Sequence, residues 1–168
     1  VKYTQGVTLV ELIITIAIAA ILLAVGVLSL RSLYEGTRAN SNIERIQNTF
    51  HFARNQAISL GRRVKICPSD GDTCTNNWIQ GAIVFTDDNG NLKKDGDEVI
   101  LNRIPAFDDS DHIKSPHSSY TFSATGFLAS RAGSLTYCPS KIDHEASQKI
   151  RINFNGRIRR DPKRVDCK

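Results

Sequence analysis

Residues 12–30, LIITIAIAAILLAVGVLSL, form a run of nineteen positions without a charge, dominated by Leu, Ile, Val and Ala. That is about the length a helix needs to cross a bilayer. Past Leu30 the apolar positions thin to a helical period: Leu33, Ile43, Ile46, Phe50, Ala53, Ala57 and Leu60 recur among Arg, Asn and Gln until Gly61 supplies a C-terminal cap. The spacing predicts one long helix from 7 to about 60, a transmembrane segment over 7–30 followed by an amphipathic stem over 31–61. From Arg62 onward short β-like stretches at 63–67, 79–86, 98–104, 119–123, 134–138 and 149–153 alternate with Gly, Asp, Asn, Pro and Ser. The predicted fold class is α+β: antiparallel sheets of a β-rich domain, 62–168, packed on the carboxyl half of the helix.

Composition changes this picture through the placement of charge. The formal net charge of the 168 residues is +5. Residues 149–168 carry eight Lys or Arg against Asp161 and Asp166, which leaves 14 basic and 15 acidic groups for the other 148 residues. The whole basic excess therefore sits in one segment, and a diffusely cationic protein is excluded.

Before the apolar run stand residues 1–6, with Lys2 as their only charge, then Val7, Thr8, Leu9, Val10 and Glu11. A carboxylate at the edge of a membrane is costly unless something neutralises it. Gly6 followed by VTLVEL resembles the amino-terminal motif of type IV prepilins and pseudopilins. The resemblance implies that 1–6 is a leader removed by a prepilin peptidase after Gly6, that Val7 becomes an N-methylated terminus, and that Glu11 serves assembly. In a bundle of apolar helices Glu11 would pair with the amino terminus of a neighbouring subunit, so that each buried charge gains a partner only on assembly. It further implies a single-pass inner-membrane protein whose soluble domain is periplasmic, with other pilins as partners.

Further along, Ala53, Arg54, Asn55, Ala57, Ile58 and Gly61, a strand ending at Cys67, Trp78 with Gly81, and IVFTDDNGN followed by DGDEVIL are similar to the GspH/FimT branch of pseudopilins. That resemblance implies a type IV pilin fold, with a β-sandwich-like pair of sheets on the helix, and a minor component of a type IV pilus or a type II secretion pseudopilus.

Cys67, Cys74, Cys138 and Cys167 all lie beyond the apolar run, which suits an oxidising compartment. Three pairings are possible. The favoured one joins 67 to 74 in a small loop and 138 to 167, tying the basic tail to a sheet; a zinc site competes, but six residues separate the first two cysteines instead of two to four. Asp87, Asn89, Asn91, Asp95 and Glu98 fall on a calcium-loop template whose glycine position holds Leu92, and a polar hairpin turn explains the same residues without a metal. His51, His112, His117 and His144 share no catalytic spacing; His112 with Asp108, Asp109 and Asp111 could bind a metal, but a solvated acidic loop is the favoured reading. No phosphate loop, nucleophile elbow or HExxH occurs, so neither an enzyme nor a cofactor is expected.

The remaining candidate is the tail, 155–168. Asn155 and Gly156 make a turn, and Arg157, Arg159, Arg160, Lys163 and Arg164 follow, with Pro162 among them. Arginine forks fit phosphate oxygens, and such a segment can follow a nucleic-acid backbone. Gly156, Arg157 and Arg159 match a GRxR motif of FimT-type pilins, which implies sequence-independent DNA binding and a part in natural transformation. The alternative is a structural, assembly-priming pseudopilin whose tail contacts other subunits.

Overall fold

The computed structural model describes residues 6–91, 93–163 and 165–168, without the side chains of 25–29. The leader residues 1–5, Leu92 and Arg164 lie outside the described residues. The chain divides into two compact units between Glu35 and Gly36.

Helix α1, Leu9–Leu60, begins as the local chemistry demands. Thr8 Oγ1 accepts the Glu11 backbone N–H at 3.3 Å, satisfying one of the donors that a helix start leaves open. Thr8 and Glu11 also stand at the spacing of a capping box, with the carboxylate at the positive end of the helix dipole. In the first unit Leu12, Ile13 and Ile14 in succession, and again Ile21, Leu22 and Leu23, are more than half exposed. Successive positions on a helix face different directions, so this part is apolar all round and is at home only in apolar surroundings. Among the described residues no helix is long and apolar enough to cross a membrane, 25–29 of the run contributing no side chains to that set.

In the second unit the same helix becomes one-sided. Ala39, Ile43, Ile46, Phe50, Ala53 and Ala57 are buried in the main core. The helix ends where Gly61, at φ 62°, turns left-handed. Its N–H bonds the Ile58 carbonyl at 3.3 Å and the Arg62 N–H reaches back to the Ala57 carbonyl at 3.2 Å, the paired bonds of a Schellman cap.

Two four-stranded antiparallel sheets cover the buried stripe. The first holds β1 (Val64–Pro68), β2 (Ala82–Thr86), β3 (Ile100–Ile104) and β5 (Tyr120–Phe122) in the order β3-β2-β1-β5. The second holds β4 (His112–Lys114), β6 (Gly133–Cys138), β7 (Gln148–Ile152) and β8 (Ile158–Asp161) in the order β4-β6-β7-β8. Val64, Ile66 and Val84 of the first and Leu135, Ile150 and Ile152 of the second meet the helix in one core. Strands β1 and β2 are buried along their whole length. Their outer face carries a second cluster, Cys67, Ile83 and Phe85, packed with Cys74 and Ile100.

Both favoured disulfides are present, Cys67–Cys74 and Cys138–Cys167. Their separations of 7 and 29 residues correspond, by loop-closure entropy, to about 2.5 and about 3.6 kcal/mol. The stretch 79–81, expected to be strand, is mostly a 3-10 turn, Trp78–Gln80, capped by Asn77 and seating the Trp78 ring in the core. Two strands were not expected. One is β8, in the tail; the other is β4, in the acidic stretch read as a solvated loop.

That acidic stretch is partly buried because it faces a cation from far away in the chain. The Arg38 guanidinium donates to Asp111 Oδ1 at 2.7 Å and to Asp108 Oδ2 at 3.0 Å, and the Asp111 side chain has no exposed surface. The Ser140 N–H adds a bond to Asp111 Oδ1 at 3.0 Å, and the Tyr137 hydroxyl donates to Asp111 Oδ2. Asn42 Nδ2 in turn donates to the Tyr137 oxygen at 2.6 Å. Helix, β4 and β6 are thus joined around one carboxylate. Burial, then the bond to Asp111, pushes the Tyr137 phenol well above its ordinary value of 10.0; burial also raises Tyr120.

The calcium-loop residues knit a turn. The Glu98 carboxylate accepts the backbone N–H of Asp88 at 3.0 Å and of Asp95 at 3.1 Å, while the Asp95 carboxylate accepts the side-chain amides of Asn89 and Asn91. Among the described residues no group of three or more His, Cys, Asp or Glu could hold a metal ion.

Replacing Asp111 by Ala leaves Arg38 without its buried counter-charge and should cost about 3 kcal/mol. Thermal unfolding of the full chain in non-ionic detergent should show a midpoint lower by about 6–12 °C. A fall of only a degree or two would mean that Asp108 and solvent carry Arg38 unaided. The raised phenols work in the opposite pH direction to a carboxyl group held below its usual range. Their contribution is complete below pH about 10 and is lost as pH rises further, because the unfolded chain ionises its tyrosines first. In an alkaline absorbance titration two of the four tyrosines should ionise only as the protein unfolds.

Candidate nucleic-acid interface

The basic segment folds as a hairpin. Asn153 accepts the Gly156 N–H at 2.9 Å and donates its own N–H to the Arg157 carbonyl at 3.0 Å. Asn155 Oδ1 takes the Arg157 N–H at 3.1 Å. Strand β8 then pairs with β7 in the register Ile152↔Ile158, Arg151↔Arg159, Ile150↔Arg160 and Lys149↔Asp161.

This register sorts the cations. Ile150, Ile152 and Ile158 are buried, so by alternation Lys149, Arg151, Arg157 and Arg159 lie on the opposite, outer face. Arg151 and Arg159 face each other directly across the strands, an arrangement of like charges that costs stability. One carboxylate offsets it: Arg151 Nε donates to Asp161 Oδ2 at 2.7 Å and the second contact, from its NH2 group, is 2.6 Å. The Lys163 backbone N–H first, and the Arg151 guanidinium second, hold the Asp161 carboxyl below its usual range. Arg151, Arg159, Asp161 and Lys163 line a shallow depression of about 340 Å³, with Arg160 and Pro162 completing its wall.

Arg160 borders the depression, but its side chain turns to the helix. Its Nε donates to Gln47 Oε1 at 3.3 Å, and its guanidinium lies 3.8 Å from the Glu44 carboxylate. Of the residues singled out in the tail, the fold therefore collects Arg157, Arg159 and Lys163 with the unanticipated Arg151 and Lys149, and commits Arg160 elsewhere. The sequence pattern puts Arg151 in a strand and Arg159 in a tail; only their register shows them as neighbours.

Gly156 has a backbone role. Its φ is 71°, and a Cβ built there would lie 2.0 Å from the Gly126 carbonyl oxygen and 2.8 Å from Arg54 Nε. Gly126, at φ 78°, closes a second turn of the same kind, with its N–H on the Ser123 carbonyl at 2.8 Å and the Ser123 N–H on the Phe127 carbonyl at 2.9 Å. Arg54 Nε bonds the Gly126 carbonyl at 3.0 Å and the Leu128 N–H bonds the Phe154 carbonyl at 2.9 Å. The two turns and the helix are thus locked together at the root of the basic strand.

At its far end the strand is fastened by Cys167, bonded to Cys138 of β6, with its N–H on the Ile142 carbonyl at 2.6 Å. At the other end of the chain, Gly6 and Val7 precede the cap at Thr8, and Glu11 stands in the first turn of α1. The histidines are dispersed: His51 on α1, His112 on β4, His117 against the Tyr120 ring, and His144 in the β6–β7 loop.

A family described as "Type II transport protein GspH" matches residues 42–156, and one described as "Prokaryotic N-terminal methylation motif" matches residues 1–27. Comparison with curated proteins finds no match. Among solved structures the chain is similar to the type IV minor pilin FimU of Pseudomonas aeruginosa, with a TM-score of 0.61 and 18% identity over 79% of this chain and 96% of that one. It is also similar to the minor pseudopilin EpsH from the type II secretion system of Vibrio cholerae, with a TM-score of 0.56 and 8% identity over 74% of this chain and 93% of that one. At these identities the likeness is one of fold: the type IV pilin fold, a long helix on antiparallel sheets.

Gly156→Ala combines a left-handed residue, worth about 1–2 kcal/mol, with a collision against backbone, and should destabilise the full chain by about 2–4 kcal/mol. Gly61→Ala, left-handed but facing open space, should cost about 1 kcal/mol. Thermal unfolding in detergent ranks the two; the reverse order would refute the locked pair of turns.

Proposed function

The chain belongs to the GspH family, whose role is that of a minor pilin or pseudopilin, and on that premise we propose that it is a minor type IV pilin that binds DNA without sequence preference and takes part in DNA uptake during transformation. The observation that carries this reading is the cross-strand pair Arg151 and Arg159 on the outer face of β7 and β8. Two guanidinium groups opposite each other, with Asp161 bonded to Arg151 as the one carboxylate beside them, suit an anion. Arg157 and Lys163 extend the row. Phosphates along a nucleic-acid backbone match such a row, and contacts made only to phosphate carry no sequence information. Gly156 and the Cys138–Cys167 bond serve the site indirectly, by holding the strand in one conformation so that little order remains to be imposed on binding.

The rest of the reading concerns assembly. The apolar half of α1 anchors the protein in the inner membrane by a single pass, with the sheets in the periplasm. A prepilin peptidase cleaves after Gly6, Val7 is methylated, and Glu11 pairs with the amino terminus of a neighbouring pilin inside the filament. Removal of 1–6 takes Lys2 with it and lowers the formal charge from +5 to +4. No catalytic step is assigned to any residue, and no cofactor.

Titrating the full chain in non-ionic detergent with a labelled duplex, followed by fluorescence anisotropy, tests the DNA reading. If about four cations meet phosphates, the log of the affinity should fall against the log of the salt concentration with a slope of about −3 to −4. Changing Arg157 and Arg159 to Gln should weaken binding and reduce the slope by about 2. Binding that is absent, or unchanged in the double variant, would leave the chain as a structural pseudopilin whose outer face contacts other subunits.

A further inference from the structure

The two locked turns carry an aromatic surface that phosphate binding does not use. Phe154, at the tip of the β7–β8 hairpin, is 65% exposed, and Phe127, in the adjoining turn, is 57% exposed. The other large aromatic rings of the sheets, Phe85, Tyr120, Phe122 and Tyr137, are fully buried. A phenyl group left exposed on a turn forgoes the free energy that burying it would supply.

The rings are also held on rigid backbone. The Leu128 N–H bonds the Phe154 carbonyl at 2.9 Å, the Gly126 and Gly156 backbones touch, and Arg54 clasps Gly126 from the helix. A ring presented on backbone that is already ordered loses little freedom when something stacks on it.

What stacks there is indicated by the charges alongside. Arg54 sits beneath the turns, and Arg157 and Arg159 lead directly out of the Phe154 turn. Along the hairpin the first carboxylate after Phe154 is Asp161, already committed to Arg151. Aromatic platforms beside a cationic track are the two ingredients of single-strand binding: the track holds phosphates while unstacked bases lie on the rings. A duplex offers the same phosphates but keeps its base faces inside its own stack.

We propose that Phe127 and Phe154 form a base-stacking platform at the root of the arginine row, so that the site takes single-stranded DNA in preference to duplex. The inference rests on the DNA-binding reading, and names the form of DNA that the site favours. Stacking on any base is tolerated, so the preference is for strandedness and not for sequence.

The probes are a fluorescein-labelled oligothymidylate of about 20 nucleotides and a duplex of equal length, each titrated with the full chain in non-ionic detergent at one salt concentration. Wild type should bind the single strand at least about fivefold more tightly than the duplex. Phe154→Ala and Phe127→Ala should each weaken single-strand binding by about fivefold or more and leave duplex binding within about twofold. Phe154→Trp should restore it. Circular dichroism and thermal midpoints near wild type show that the variants fold. Single-strand binding that survives both alanine changes overturns the stacking platform while the arginine-dependent duplex binding stands. If neither probe binds wild type, the DNA-binding reading itself is lost, and the platform with it.

Discussion

The described domain is organised around one carboxylate removed from water. Asp111 accepts from the Arg38 guanidinium, the Tyr137 hydroxyl and the Ser140 N–H, so three elements of different sequence neighbourhoods share a single centre. Taking a charge out of solvent is unfavourable unless every lone pair is engaged and the partner is well placed. That requirement acts as a register pin. It acts together with the packed stripe of α1, since a displaced Arg38 would leave Asp111 buried without its cation. With the helix pinned to β4 and β6, the position of β7 and β8 follows by hydrogen-bonded pairing.

The cationic face follows from that placement and from the period of a strand. Alternation sends Ile150, Ile152 and Ile158 to the core and Arg151 and Arg159 to the outside. The same alternation separates Arg160 from its neighbours and delivers it to Gln47 and Glu44 on the helix. Charge density in the sequence is therefore not charge density on the surface. The strand sits at the edge of its sheet, where arginines and Pro162 also discourage pairing with another chain, so the residues that suit an anion are the same ones that guard the edge.

The helix and its end at Gly61 were legible because they rest on period and capping, which are local. So was the pairing of Cys67 with Cys74, close in sequence. Strand β4 was not, since only Ile113 marks it as apolar and its anchor, Arg38, stands 73 positions before Asp111. Strand β8 was hidden for a like reason: one buried residue, Ile158, among arginines carries no alternation that a reader could detect. Nothing in the sequence marks Arg151 for the site, because its partnership with Arg159 exists only in the register of two strands. The glycine of the GRIR stretch was noted as part of a motif, while its physical necessity, the oxygen of Gly126 lying where a side chain would begin, belongs to the tertiary structure.

The bond between Cys138 and Cys167 has a mechanical meaning. An edge strand pulled from its free end unzips one hydrogen bond at a time, at low force. Here β8 leaves a turn clamped by Gly126 and Arg54 at one end and runs at the other into a covalent link to β6, an inner strand of the sheet. Tension applied to that strand is thus shared across the sheet and passed to the helix through Asp111.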